Sequence, residues 1–219
     1  MNRAIYRFND AIDRAALKPA ARGYQKITPS WVRRGVGNFF TNLEQPKVIV
    51  NELLQGKPGM ALMDTGRFVI NTVFGVGGLF DLASANDMPL NDEDFGQTLA
   101  VWGVPSGPYL MLPFLGPSTL RDGPARGGDY FLGPMHYADM KTSEEIAIRA
   151  VEIVDTRARL LSSEAALENV HDRYAFIRNA WLQRREYQIY DGNVPETEEE
   201  AAFMDEADEE TPPAAPPPP

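Results

Sequence analysis

The sequence predicts an all-α fold in a single domain, residues 1–192, followed by a disordered tail, residues 193–219. Three observations predict it. Apolar residues recur at helical spacing in segments toward both ends of the chain. No run alternates apolar and polar residues convincingly enough to build a sheet, and no internal repeat is visible. A chain of 219 residues, 43% hydrophobic and 24% charged, suits one domain with a sizeable core.

The elements follow in order. The spacing predicts a first helix over residues 2–17, with Ile5, Phe8, Ile12 and Ala16 on one stripe and Arg3, Arg7 and Arg14 away from it. Such a helix either rests in a membrane interface or packs on a core. Pro19 ends or bends it. Ser30 is an expected N-cap for a helix through Trp31, Val32, Val36, Phe39, Phe40 and Leu43. Pro46 suits the first turn of a new helix, Lys47 to Gln55, stopped by Gly56-Lys57-Pro58. Another helix spans Met60 to Thr72; Gly75, Gly77 and Gly78 break it, and a turn covers Leu79 to Ala83. Past the middle of the chain, Thr142 or Ser143 caps a helix running to Leu161, with Glu144 and Glu145 in its first turn. The last helix, Asp172 to Tyr190, is apolar at Tyr174, Ile177, Trp181 and Tyr187. From Asn193 the chain is acidic and proline-rich and cannot bury enough surface to order itself.

The middle carries the most information. From Phe95 to Leu120 no residue is charged. By residue count that run is long enough to cross a bilayer, for which about 20 apolar residues suffice. It cannot be one helix, because Pro105, Pro108, Pro113 and Pro117, with Gly103, Gly107 and Gly116, interrupt it repeatedly. Irregular backbone at membrane depth persists only where it is buried in protein or lines a cavity. The run is therefore either a buried rigid loop or the wall of an apolar passage.

Charge is unevenly spread. Nine of the 31 acidic residues and none of the 21 basic ones lie from Pro195 to Pro219, so the net charge of -10 describes the tail and the body is nearly neutral. Met1 to Arg34 carries eight bases against Asp10 and Asp13, which suits an anionic surface, lipid headgroups or nucleic acid, or else a solvated helix face. The absence of cysteine excludes disulfides, thiol catalysis and cysteine metal sites. Met1-Asn2-Arg3 runs straight into a helix-like stretch without a signal peptide, as expected of a cytoplasmic protein or of a mature region given a starting Met.

Known chemistries find little support. His136 and His171 have no partner at metal-ligand spacing, so no metal is expected. No nucleophile elbow exists, since Val104-Pro105 precedes Ser106. Gly75-Val76-Gly77-Gly78 mimics the start of a dinucleotide fingerprint but lacks its closing small residue and a βαβ setting. Asp92-Glu93-Asp94 lacks calcium-loop spacing and reads as a helix start or a solvated turn. No nucleic-acid-binding signature occurs. Neither enzymatic activity nor a cofactor is expected.

Several motifs resemble the MlaA/VacJ family. Phe95-Gly96-Gln97-Thr98-Leu99 leads to Gly107-Pro108-Tyr109, Leu112-Pro113-Phe114 and Thr119-Leu120-Arg121-Asp122. Upstream lie Asn42-Leu43-Glu44-Gln45-Pro46, Val50-Asn51, Leu54-Gln55-Gly56, Arg67-Phe68, Ile70-Asn71-Thr72 and Gly75-Val76-Gly77-Gly78. Downstream are Thr156-Arg157-Ala158, Leu160-Leu161 and Gln183-Arg184. The resemblance runs from about Tyr6 to Gly192. It implies a ring of amphipathic helices around a central channel, set in the inner leaflet of a Gram-negative outer membrane and anchored by a lipidated cysteine on the periplasmic face. It implies phospholipid as cargo, and a trimeric porin and a soluble periplasmic lipid carrier as partners.

The resemblance also assigns residues. Phe95 to Leu120 becomes channel wall, with Trp102, Gly103, Pro105, Gly107, Tyr109, Leu110, Leu112 and Phe114 contacting lipid. A hairpin-like loop there governs passage; Gly103 matches a family glycine, and Pro105 replaces another, which reduces loop mobility. Arg121 and Asp122 are expected near the polar part of the passage, facing headgroups; Phe8 and Asn9 are expected to touch lipid and hold the ring's conformation. The lipoprotein signal and its cysteine are missing from the pattern here, and the acidic tail is an addition to it. The competing readings are a membrane-associated lipid-binding scaffold that moves nothing itself and a lipid hydrolase.

Overall fold

The computed structural model describes residues 1–167 and 170–195. The tail expectation beyond residue 195 lies outside the described residues.

The chain is built almost entirely of helices: α1 (Asn2–Ile12), α2 (Lys18–Ile27), α3 (Ser30–Leu54), α4 (Pro58–Val73), α5 (Phe95–Val101), α6 (Asp122–Leu132), α7 (Thr142–Leu160) and α8 (Arg173–Ile189). Short 3₁₀ turns lie at Ser84–Asn86, Pro134–Tyr137 and Leu161–Leu167. One small sheet interrupts them. Strands β1 (Tyr109–Leu112) and β2 (Gly116–Thr119) form an antiparallel hairpin, Tyr109 opposite Thr119 and Leu112 opposite Gly116. The all-α expectation holds, with this hairpin as a small addition to it. Its strands are four residues long and carry Pro117 in the ladder, so they show no readable alternation.

Prolines proved poorer punctuation than expected. The helix does not end at Pro19. A π-helical turn at Asp13–Leu17 carries α1 into α2, with the Lys18 N–H reaching Asp13 O five residues back. The extra residue lets the helix pass a position that lacks an N–H, and such π-turns are a recognised cause of bends. Likewise α3 runs through Pro46 without a break. A helix of 25 residues packed along α4 tolerates the missing bond because tertiary packing supplies most helix stability.

Caps differ by a residue. Pro29 occupies the N-cap of α3, with Ser30 inside. Lys141 caps α7, and the Glu144 carboxylate accepts the Lys141 N–H at 3.0 Å. The segment after α4 is a helix-terminating turn in which Val76, Gly77 and Gly78 adopt positive φ. A Cβ on Gly78 would lie 2.5 Å from Asn42 Cβ, so glycine is needed for the close approach to α3. Because a helix precedes it, this turn is no dinucleotide fingerprint.

Packing inverts the usual soluble pattern. The largest fully buried side chains are all polar: Arg67, Gln97, Glu52, Asn51, Thr98, Thr119, Asp64, Asp155 and Ser118. The surface instead carries exposed Trp31, Leu62, Val69, Val73, Phe74 and Phe80, among many others. Charged residues are rarely fully buried in water-soluble folds, and large apolar patches there are the exception. The α3–α4 pair shows both sides of the inversion. Inside, Arg67 binds Asp81, Ser84 and the Met88 carbonyl. Outside, Leu62, Val69 and Val73 face outward from α4.

Candidate functional site: a central amphipathic cavity

A cavity of about 820 Å³ lies between α3, the hairpin tip, α6 and α7. Six segments line it: Leu17 from the π-turn, Leu43 and Lys47 from α3, Phe114 and Leu115 from the hairpin tip, Arg126 and Asp129 from α6, Met135 from the following 3₁₀ turn, and Arg149, Ile153 and Leu160 from α7. The wall is amphipathic. Most charges in it are paired: Lys47 with Glu44 at 2.5 Å, Arg149 with Glu152 at 3.3 Å, Arg157 with Asp13 at 2.6 Å. A smaller cavity of about 240 Å³ adjoins it, bordered by Asp94, Asp122, Trp181 and Arg185. Arg126 and Asp129 belong to both.

The hairpin is held from two sides. From α1, Asn9 Nδ2 donates to Leu112 O at 2.9 Å, and the Phe114 N–H donates to Asn9 Oδ1 at 2.9 Å. Asn2 repeats the arrangement, donating to Tyr109 O and accepting from the Met111 N–H. Phe8 stacks edge-on against Phe114, centroids 5.3 Å apart. From α6, Arg126 donates to Leu115 O at 3.0 Å and to Pro117 O at 2.8 Å. Phe114 adopts positive φ at the tip and is 75% exposed, lining the main cavity. Such strain in a non-glycine residue persists only where surroundings enforce it, and here the Asn9 bond does so.

The other expected residues fall at the opposite end of the charge-free run. Trp102 donates its indole N–H to Leu54 O at 3.0 Å. Gly103 and Gly107 have positive φ, and with Pro105 they form an exposed loop before β1. Gly103, Pro105 and Arg121 border a separate cavity of about 430 Å³. Tyr109 stacks on Tyr174 and Trp181, and Leu110 is half-buried beside it.

Arg121 and Asp122, expected to face headgroups, are buried and occupied. Asp122 accepts from Arg121 Nε at 2.9 Å and from Arg185 Nε and Nη2 at 3.0 Å each. Arg185 also grips Asp94 through Nη1 and Nη2, at 2.6 and 2.7 Å. Asp94 in turn caps α5, accepting the Gln97 N–H at 2.8 Å. Burial pushes Asp122 and Asp94 up, but the Arg185 bonds outweigh it and leave both below the usual carboxylate range. This cluster ties α5, α6 and α8 together. A Cβ on Gly96 would strike Arg185 and lie 2.5 Å from Asp122 Oδ1, so the glycine makes room for it.

A second buried acidic pair sits between α3 and α4. Asn91 Nδ2 donates to Glu52 Oε1 at 3.3 Å and Asp64 Oδ2 at 2.8 Å. Burial, with Asp64 close by, pushes Glu52 up to about 8. Of the two readings of Asp92-Glu93-Asp94, a helix start or a solvated turn, the helix start holds: Asp94 caps α5, and Glu93 is buried and paired with Lys57 at 3.1 Å.

The charged cavity residues were not foreseen. Glu44 with Lys47 and Arg149 with Glu152 are i,i+3 pairs on helix faces. Such pairs read alike whether they face bulk water or a hydrated cavity. Among the described residues no group of His, Asp and Glu suits a metal, and no helix is long and apolar enough to cross a membrane.

Comparison with known proteins agrees with this architecture. The sequence profile of the family described as MlaA lipoprotein matches residues 1–188. The chain is 36% identical over 190 residues to the intermembrane phospholipid transport system lipoprotein MlaA of Escherichia coli, covering 85% of this chain and 75% of that one. It is 33% identical over 201 residues to the protein of the same name from Haemophilus influenzae, covering 90% and 80%. A solved structure described as the structural basis for maintenance of bacterial outer membrane lipid asymmetry superposes with a TM-score of 0.75 at 35% identity, covering 86% of this chain and 96% of that one. Family profile, relatives and solved structure agree over most of the chain, and the chain belongs to the MlaA lipoprotein family.

Proposed function

We propose that this chain is the outer-membrane lipoprotein component of a phospholipid-trafficking system, removing phospholipids from the outer leaflet through its central cavity and so maintaining lipid asymmetry. The names of its relatives support the activity. The observation that carries it is the inverted packing: fully buried Arg67, Glu52 and Asp64 within, exposed Trp31, Leu62 and Phe74 without. Apolar residues that would be a liability in water are at home against acyl chains.

The ring sits in the inner leaflet. Depth then selects the cargo, because a ring confined to that leaflet presents no apolar surface to lipids resting opposite. Leu17, Leu43, Ile153 and Leu160 form an apolar track for the acyl tails, while the headgroup follows the charged side of the cavity. The hairpin tip, with Phe114 and Leu115 in the cavity wall, controls passage, and Phe8 and Asn9 set its position. No bond is made or broken, so no catalytic group is required. Residues 1–192 form the working unit, tethered by a lipidated cysteine upstream; a trimeric porin flanks it and a soluble periplasmic carrier receives the lipid.

The test is complementation of a Gram-negative strain lacking its own copy. The lipid-anchored chain restores detergent resistance, whereas the double variant Leu43→Trp with Ile153→Trp, which narrows the cavity from two walls, does not. Full restoration by the narrowed variant, at equal protein level, would refute passage through the cavity.

A further inference from the structure

Of the four cations that line the main cavity, only Arg126 has no carboxylate partner among the described residues. Lys47, Arg149 and Arg157 each hold a carboxylate within 3.3 Å. Arg126 makes no ion pair among the described residues; its partners are the neutral carbonyls of Leu115 and Pro117. Asp94 and Asp122 are gripped by Arg185, while Asp129, held by the Phe95 N–H at 2.9 Å, forms no ion pair with Arg126. Two carbonyls satisfy the geometry of a guanidinium without neutralising its charge. They also fix the fork while leaving Nε–H and one N–H on each terminal nitrogen free. Holding a cation in place at a partly buried site, with donors to spare, preorganises it for an anion.

Its position gives that anion a context. Arg126 borders both the 820 Å³ cavity and the 240 Å³ cavity beyond it, and so stands where the two approach each other. Apolar Leu43 and Leu115 line the same space, which suits an amphiphile with a phosphate at one end. We infer that Arg126 is the phosphate contact of the passage and makes it select phosphate-bearing lipids over uncharged ones. This rests on the proposed lipid route and adds to it the group that reads the headgroup.

The experiment uses the full chain in detergent and measures binding of dihexanoyl-phosphatidylglycerol, of dihexanoylglycerol and of inorganic phosphate by calorimetry. Wild type binds the phospholipid about tenfold or more tightly than the diacylglycerol, as one charge-assisted bidentate contact would give. Arg126→Gln brings that ratio to near one, while Arg126→Lys keeps most of it. Both variants lose the fork on the hairpin, so a role confined to holding the hairpin would make the two behave alike and overturn the inference. Retention of the full ratio in Arg126→Gln would also overturn it. Binding of inorganic phosphate as tightly as the phospholipid would make free phosphate the ligand and refute the lipid assignment. If wild type bound neither lipid, the proposed route would fall along with its phosphate contact; if it bound both equally, only the contact would fall.

Discussion

Replacing Arg185 with leucine removes the cation that two aspartates share, and its consequences follow from the geometry. Arg185 makes four hydrogen bonds to Asp94 and Asp122, and its side chain is 8% exposed. Without it Asp122 keeps only Arg121, and Asp94 keeps only the Gln97 N–H. Breaking a buried pair from one side typically costs about 3–5 kcal/mol, because a charge is left uncompensated. The loss depends on pH. Both aspartates have folded-state pKa values lowered by Arg185, so in the wild type their stabilisation is present above the unfolded-state pKa and lost as pH falls through the folded one. In the variant they are already poor anions, and protonation relieves them. The gap between wild type and variant is therefore widest near neutral pH and narrows toward pH ~4. Denaturant unfolding in detergent, followed by circular dichroism at several pH values, measures it. The neighbouring Arg184, paired with Asp92 in an exposed bridge, is the control, and its alanine variant loses no more than about 1 kcal/mol. A gap for Arg185→Leu no larger than the control's, or one that does not change with pH, would refute the reasoning.

Two further outcomes follow. Asn9→Ala removes both of its bonds to the hairpin, a loss of about 1–3 kcal/mol locally, and raises amide exchange at Phe114 while leaving α7 unchanged. Glu52 has a folded-state pKa of about 8, raised above its unfolded value, with Asp64, Glu93 and Asn91 around it. Its contribution is thus complete below the ordinary carboxylate range and is lost as pH rises through about 8, at no more than about 1.4 kcal/mol per pH unit. Unfolding midpoints should fall between pH 6 and pH 9 in the wild type, and Glu52→Gln should flatten that fall.

What the sequence disclosed, and what it hid, both have physical causes. Helix type was legible because stripes such as Ile5, Phe8 and Ile12 report a 3.6-residue period whichever solvent they face. Helix limits were less so. Pro19 and Pro46 usually mark boundaries, but a π-turn and tertiary packing carried the chain past them. The charge-free run announced unusual surroundings, yet its hairpin was hidden in strands of four residues. Arg121-Asp122 stood out as the first charges after that run and were assigned to the passage. The other partner of Asp122, Arg185, lies more than sixty residues away beyond the whole of α7, a relation no local pattern reveals. The cavity charges were invisible for the opposite reason, since pairs such as Arg149 with Glu152 look like any solvated face. The inversion itself left only an indirect trace. Composition counts apolar residues and is silent on whether they point in or out.

The account stands on phospholipid entering the hollow of the ring, and crosslinking from within that hollow tests this most directly. A photoreactive amino acid at Ile153, inside the cavity, and another at Leu62, on the outer belt, would be irradiated in living cells and the adducts identified by mass spectrometry. The account predicts phospholipid adducts at both positions, with those at Ile153 falling when Trp replaces Leu43 across the cavity. Adducts at Leu62 with none at Ile153 would leave a protein that rests on lipid and carries none through.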